Sequence, residues 1–126
     1  MQRNMDLVRT ILMRMESDPM GKAPNALGIQ SYSTQEIAYH AYIMMQEGLV
    51  KGADVTNSGS GGPAALPTSL TWKGHEFLDL ARDQERWNQA KAVIARVGGA
   101  PMSVWIKVLT DLTLERVEAA TSKAAL

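Results

Sequence analysis

Residues 31–50 read SYSTQEIAYHAYIMMQEGLV and contain the signals that decide the local fold. Ser33 and Glu36 have the spacing of a capping box, in which the side chain of each residue bonds the backbone N–H of the other. Apolar residues then recur at helical spacing, and Gly48 follows the last turn, where a left-handed residue is favoured. The pattern predicts a helix over 34–47 that ends at Gly48 and leads directly into a strand.

Two strands are predicted after this helix, over 49–55 and 66–70, and a third short strand could form near 29–32. The segment between the first two contains Ser-Gly-Ser-Gly-Gly. A glycine-rich loop can cradle a phosphate, but this one lacks the Gly-Lys-Ser/Thr ending and opens no helix, so we interpret it as a flexible hairpin tip. A helix followed at once by a hairpin is the order in which a winged-helix domain joins its recognition helix to its wing. The sequence therefore predicts an α+β, winged-helix-like domain with a two- to three-stranded antiparallel sheet.

The remaining helices are predicted from apolar spacing and capping residues over 4–16, 71–82, 84–97 and 101–119. In the helix over 84–97, Asp83 is the predicted cap and Val97 the last inward residue. The inward stripe of the first helix comprises Met5, Val8, Ile11, Leu12 and Met15. The segment 17–30 is punctuated by proline and glycine and is predicted to be a loop. It leaves little room for the positioning helix that winged-helix transcription factors place before the recognition helix. We expect a single domain over 1–126, with a winged-helix-like core over 1–83 and a C-terminal helical extension over 84–126.

The composition narrows the function classes. The chain of 126 residues has 13 basic and 13 acidic residues, hence no net charge, and it contains no cysteine. The lack of cysteine excludes disulfides, thiolate metal sites and cysteine nucleophiles. Zero net charge gives no support to a phosphate backbone as the main partner, although a local basic patch could still exist. Neither a signal peptide nor an apolar run of membrane-spanning length is visible, so we expect a soluble cytoplasmic protein.

Four short runs carry a resemblance to one family. They are Met-Asp-Leu-Val-Arg at 5–9, Ile-Ala-Tyr-His at 37–40, Glu-Gly-Leu-Val at 47–50 and Leu-Thr-Trp-Lys-Gly-His-Glu-Phe-Leu-Asp at 70–79. Together they resemble the bacterial and phage family catalogued as domain of unknown function 2513, over about residues 3–91, and the last run is the most specific. The resemblance implies a small winged-helix-like protein carried on prophages or other mobile elements. It implies no activity, cofactor or site residue.

The predicted helix over 34–47 has an outward side that carries Gln35, Tyr39, Tyr42, Ile43 and Gln46. Aromatic residues without neighbouring lysines are typical of protein interfaces. We therefore predict an interaction face that serves a homodimer and a protein partner, as in an accessory factor or an inhibitor of a host system encoded by a phage or mobile element. The later helices could instead fold over this side and make it part of the core.

Binding to DNA as a winged-helix transcriptional regulator is the alternative. The same helix would enter the major groove, where Gln35 and Tyr39 could contact bases or phosphates. Lys51 and Lys73 are the basic residues that the hairpin could bring near it. However, the helix has no lysine or arginine, and its two glutamates oppose an approach to phosphates. Protein binding is therefore the preferred prediction.

Two histidines invite a metal or catalytic interpretation. His40 has Glu36 four residues before it and His75 has Asp79 four residues after it, so each pair shares a helical face. Two such pairs facing each other could bind zinc, but a histidine beside an apolar stripe more often bonds a carboxylate or a backbone carbonyl. No set of residues combines a nucleophile, a base and an electrostatic stabiliser. We predict no enzyme activity, cofactor, metal or small-molecule substrate.

The three tryptophans, at positions 72, 87 and 105, fall on three different predicted helices. Trp87 and Trp105 lie on the inward apolar stripes of their helices. We predict core packing for all three, with stacking on a ligand as the alternative.

Overall fold

A computed structural model describes residues 1–22 and 27–124 of the chain. In chain order the elements are α1 (Met5–Glu16), α2 (Thr34–Glu47), β1 (Val50–Asp54), β2 (Ala65–Leu70), α3 (Trp72–Ala81), α4 (Gln84–Ala95) and α5 (Met102–Ala124). The protein is therefore α+β, with one two-stranded antiparallel sheet in the described residues. The chain forms two compact units, Met1–Leu78 and Asp79–Leu126. That both units fold as one domain stays a prediction.

Helix α2 has the predicted bounds because both of its ends are capped. The Ser33 hydroxyl accepts a hydrogen bond from the Glu36 N–H at 3.0 Å, and the Glu36 carboxylate accepts one from the Ser33 N–H at 3.1 Å. At the other end Gly48 has a φ of 83°, which favours glycine, and the N–H groups of Gly48 and Leu49 bond carbonyls of the last turn. The capping box and the glycine end are confirmed.

The hairpin follows α2 after two residues. β1 and β2 pair antiparallel, with Val50 opposite Leu70 and Asp54 opposite Ala65. The tip between them is held by short-range hydrogen bonds, including those from the Asn57 N–H to the Ser60 hydroxyl at 3.1 Å and from the Ser60 hydroxyl back to the Asn57 carbonyl at 2.8 Å. The tip therefore has a defined conformation of its own.

The strand predicted near residues 29–32 is wrong. In the structure this segment forms no strand, since β1 and β2 pair only with each other in the described residues and a strand needs a neighbour for its ladder. The preceding residue, Gly28, has a φ of 64°, which interrupts extended backbone. The predicted loop over 17–30 contains no helix or strand in its described part; residues 23–26 lie outside the described residues.

The core of the first unit forms where α1 and α2 pack on each other and on the hairpin. Apolar residues of α1, α2, the hairpin and the middle of α3 are buried there: Met5, Leu7, Val8, Ile11, Leu12, Met15, Ala41, Met44, Leu49, Val50, Ala64, Ala65, Phe77 and Leu78. The stripe predicted for α1 is confirmed in full. Asn4 caps this helix by accepting a hydrogen bond from the Leu7 N–H at 3.2 Å.

The second unit contains the helical hairpin of α4 and α5. Asp83 caps α4 as predicted, because its carboxylate accepts a hydrogen bond from the Arg86 N–H at 2.9 Å. The core between the two helices contains Trp87 and Trp105, whose rings stack with centroids 4.9 Å apart and an angle of 27° between their planes. Both tryptophans are buried, which confirms core packing for these two.

The ends of α4 and α5 differ from the prediction. Helix α4 ends at Ala95, and Val97, predicted to face inward, is 75% exposed. Gly98 and Gly99 take φ values of 80° and 112°, so the chain leaves the helix before Val97 can pack. Helix α5 continues to Ala124 rather than ending near residue 119, since its last turns are rich in alanine and contain no helix breaker.

No helix within residues 1–22 and 27–124 has both the length and the apolar character needed to cross a bilayer.

Candidate interaction site

The outward side of α2 carries the five residues predicted to form an interaction face, Gln35, Tyr39, Tyr42, Ile43 and Gln46, which we term the α2 face. Gln35 and Gln46 are exposed, and the two tyrosines and Ile43 are half-buried. The inner side of the helix buries Ala41 and Met44 in the core. The α2 face is therefore an amphipathic surface with polar ends and an apolar, aromatic centre.

Gln35 joins the first turn of α2 to the tip of the hairpin. Its amide nitrogen donates a hydrogen bond to the Gly61 carbonyl at 2.8 Å, across 26 residues of sequence. A Cβ at position 61 would lie 2.5 Å from that nitrogen, and Gly61 has a φ of 74°, so glycine suits this approach. One of the two N–H donors of the Gln35 amide is thus occupied within the protein.

His40 lies next to the α2 face but points into the protein, where it is 1% exposed. Its Nε2 accepts a hydrogen bond from the Asn4 N–H at 2.8 Å, and Nδ1 lies 2.8 Å from the Glu36 carbonyl, to which it donates. Both ring nitrogens of the neutral imidazole are therefore bonded to backbone. His40 links the start of α1 to α2, and its ring also meets the ring of Tyr39 edge-on at 5.9 Å.

The two predicted histidine–carboxylate pairs do not assemble into a metal site. The Glu36 carboxylate is engaged with the Ser33 backbone in the capping box, whereas His75 lies exposed on α3. Within the described part of the chain no group of three or more histidine, cysteine, aspartate or glutamate residues could hold a metal ion. The partners of His40 are backbone groups, in agreement with the simpler interpretation of this residue.

The basic residues predicted to assist DNA binding have different surroundings. The Lys73 ammonium lies 2.6 Å from the Glu47 carboxylate and also donates to the Glu47 carbonyl at 3.0 Å, so its charge is matched at the end of α2. Lys51 is exposed on β1 and forms no ion pair with any described residue. Of these two lysines, only Lys51 is therefore without a carboxylate partner among the described residues.

A close junction joins the end of α2 to the start of α3. The Thr71 hydroxyl donates to the Gly48 carbonyl and accepts a hydrogen bond from the Gly74 N–H at 3.0 Å, and the Thr71 N–H donates to the Leu49 carbonyl at 3.1 Å. A Cβ at Gly74 would collide with the Leu49 carbonyl, so this contact requires glycine. Thr71, Lys73 and Gly74 thus have structural partners.

The outward side of α3 carries Trp72, His75 and Glu76, which we term the α3 face. Trp72 is 83% exposed, so the prediction that it packs in the core is wrong. Gly74, Phe77 and Leu78 take the buried side of the helix. Because side chains three and four residues apart are neighbours on a helix, Trp72, His75 and Glu76 share one surface. An exposed indole contributes little to the stability of the fold, which makes Trp72 a candidate for binding a partner.

A signal for the exposure of Trp72 was present in the sequence. Phe77 and Leu78 mark the inward direction of the helix that begins after Thr71. At 3.6 residues per turn, Trp72 points about 120° away from Leu78, on the side of His75 and Glu76. The periodicity of this helix alone thus indicates an outward tryptophan.

In the second unit, the later half of α5 presents another exposed apolar surface. Arg116 pairs with Glu85 at 3.1 Å near the start of α4, so the residues after Arg116 extend beyond that helix. Every residue from 114 to 124 is exposed, including Leu114 and Val117 at about half of their surface. This half of α5 therefore offers apolar surface to a partner.

The electrostatics of the second unit include one carboxyl group with a clear perturbation. The Arg86 backbone N–H, by bonding the Asp83 carboxylate, lowers the pKa of Asp83 below its ordinary value of 3.8. This favours the charged carboxylate at the N-terminus of α4, where the helix dipole also stabilises negative charge.

Comparison with known proteins extends the sequence resemblance. The family described as "Hypothetical protein (DUF2513)" matches residues 2–100, a span that ends before α5 begins. A Haemophilus influenzae protein described as "Uncharacterized protein" is 32% identical over 97 residues, which cover 75% of this chain and 79% of that protein. No solved structure matches. The expected family resemblance is confirmed.

Proposed function

This chain belongs to the DUF2513 family, and from its surface we propose that it is a protein-interaction module, not an enzyme, that binds through the α2 face. One observation carries the proposal: the face has an aromatic, half-buried centre, and the lysine beside the end of α2 is not free. Lys73, which α3 places at that end, is paired with Glu47. Aromatic and apolar side chains supply contact area at protein interfaces, whereas a phosphate partner needs free positive charge.

The finer fold assignment is winged-helix-like, with α2 as the counterpart of the recognition helix and β1–β2 as the wing. The order of α2, Gly48 and hairpin supports it. A departure from the usual arrangement is that the described residues between α1 and α2 contain no positioning helix. This departure favours a use of the scaffold other than reading a DNA groove.

The expected partners are a second copy of this chain and a protein of a host system, as for an accessory factor or inhibitor encoded by a phage or mobile element in the cytoplasm. Homodimerisation is supported by the self-complementary character that an aromatic face can have in a two-fold interface. The exposed later half of α5 supplies further apolar surface for such contacts.

The test is the self-association of Tyr42→Asp, measured by sedimentation equilibrium. A charge in the centre of the face is expected to raise the dimer dissociation constant by at least about tenfold. Gln46→Lys places a charge at an exposed position of the same face, so it tests the interface without disturbing the core. Ser58→Asp, at the exposed hairpin tip, is the matched control and should dimerise normally. A monomeric wild type, or dimers unaffected by both face variants, would contradict the proposal.

DNA binding remains the second candidate because Lys51 is exposed and unpaired on β1. In that case Gln35, Tyr39, Lys51 and Lys73 would supply the contacts. Lys73 would first have to leave Glu47, and Gln35 already holds one of its amide N–H groups on the Gly61 carbonyl. Both of these bonds make the DNA-binding arrangement less favourable than the protein interface.

A further inference from the structure

The α3 face is a second surface, separate from the α2 face, whose exposed residues have no structural explanation. Within the run 70–79, the inward residues fill the core and Thr71, Lys73 and Gly74 form the junction with α2. Trp72, with 83% of its surface in water, takes part in neither. The exposed side chains of the face therefore indicate which chemical groups of a partner it can bind.

The charge on this face is negative and uncompensated. Glu76 is exposed and forms no ion pair with any described residue. Lys73, the cation nearest in sequence, is engaged by Glu47 at 2.6 Å and so does not neutralise Glu76. Because Glu76 follows Trp72 by four residues on one helix, the two side chains are neighbours on the helix surface.

We propose that the α3 face binds an arginine side chain of a partner protein. The planar guanidinium would stack on the Trp72 ring by a cation–π contact and donate hydrogen bonds to the Glu76 carboxylate. His75, on the opposite side of Trp72 from Glu76, borders the same site. Arginine fits better than lysine because one planar cation can meet the ring face and the carboxylate at once.

The charge also selects against a nucleic acid at this face. A base could stack on an exposed tryptophan, but the phosphates next to that base would approach the Glu76 carboxylate. The only lysine in the first turn of α3, Lys73, is already paired. A cationic protein segment complements the face in both aromatic and electrostatic character.

The three tryptophans make this site measurable in the full-length protein. Indole N–H resonances of ¹⁵N-labelled protein report each tryptophan separately, and Trp72→Phe identifies the resonance of Trp72. Trp87 and Trp105 are buried and stacked on each other, so they serve as internal controls. The probe is a capped peptide with one arginine between glycines; matched peptides carry lysine or the neutral isostere citrulline in its place.

The arginine peptide is expected to move the Trp72 resonance saturably in the millimolar range without moving those of Trp87 and Trp105. Citrulline should produce no shift, and lysine a smaller one. Glu76→Gln should raise the dissociation constant about two- to fivefold, whereas Glu118→Gln, an exposed carboxylate on α5, should not change it.

An unmoved Trp72 resonance, an equal response to citrulline, or no effect of Glu76→Gln would overturn the proposal. So would a single-stranded oligonucleotide that moves the Trp72 resonance more strongly than the arginine peptide does, since that result assigns the face to a nucleic acid. The site does not depend on the α2 face. A Tyr42→Asp protein should therefore bind the arginine peptide as the wild type does, even if it no longer dimerises.

Discussion

Trp72 and Trp87 are the same residue type in opposite environments. Trp87 is fully buried and stacks on Trp105 between α4 and α5, whereas Trp72 is 83% exposed at the start of α3. Trp87 repeats at helical spacing with Ala90 and Ile94, which are also buried. Trp72 precedes the inward residues of its helix and falls out of phase with them. A tryptophan in phase with a stripe stabilises the fold, and one out of phase is available for binding.

The largest expected effect is on stability at Trp87. Trp87→Ala removes a buried ring and leaves a cavity, so we expect the free energy of unfolding in urea to fall by about 3–5 kcal/mol. Trp72→Ala is the matched control and should change it by less than about 0.5 kcal/mol. Equal losses for the two variants would break the comparison, since they would place Trp72 in the core.

The two histidines show the same contrast between a buried and an exposed residue, since His40 is buried and His75 is exposed. His40→Phe keeps a ring but removes the acceptor for the Asn4 N–H, which is then left without its partner. We expect a loss of about 1–3 kcal/mol in unfolding free energy and faster hydrogen exchange at the Asn4 amide. His75→Phe, on the exposed side of α3, should leave both quantities unchanged. A harmless His40→Phe would contradict the linking role of this histidine.

The Gly74→Ala substitution tests the junction between α2 and α3, because the close contact reverses the sign of the expected change in stability. In a helix without close neighbours, glycine to alanine stabilises by about 0.5–1 kcal/mol. Here the added methyl would collide with the Leu49 carbonyl, so Gly74→Ala should destabilise by about 1–3 kcal/mol. Chemical denaturation of this variant beside His75→Ala gives the sign. A stabilised Gly74→Ala would show that the two backbones do not approach closely.

The smallest expected effect is the pH dependence at Asp83. The pKa of Asp83 is lowered in the folded protein by the Arg86 N–H, so its contribution to stability is complete above the unfolded pKa and is lost as pH falls through the folded value. Asp83→Asn keeps a capping side chain that does not titrate. The difference in Tm between wild type and Asp83→Asn should therefore shrink between pH 7 and about pH 3. A difference that stays constant would exclude this cap as an acid-sensitive group.

The sequence predicts those features that depend on local signals. The capping box, Gly48 and Asp83 define helix ends within a few residues, and the bounds of α2 are confirmed in full. Long-range contacts leave no such signal. Nothing local indicates that Gln35 bonds Gly61 or that His40 accepts from Asn4, because each bond joins residues far apart in the chain. The exposure of Trp72 follows from helical phase, against the usual preference of tryptophan for the core.

The central claim is that this protein binds proteins rather than duplex DNA. A mobility-shift titration of the wild type on random duplex DNA at low salt tests it most directly, because low salt strengthens every phosphate contact. We predict no shift even at high protein concentration, since Lys73 is paired with Glu47 and, of the predicted DNA contacts, Lys51 alone carries a charge without an ion pair among the described residues. Tight binding that falls steeply with added salt and is weakened by Lys51→Ala would contradict the claim and establish the regulator as the correct function.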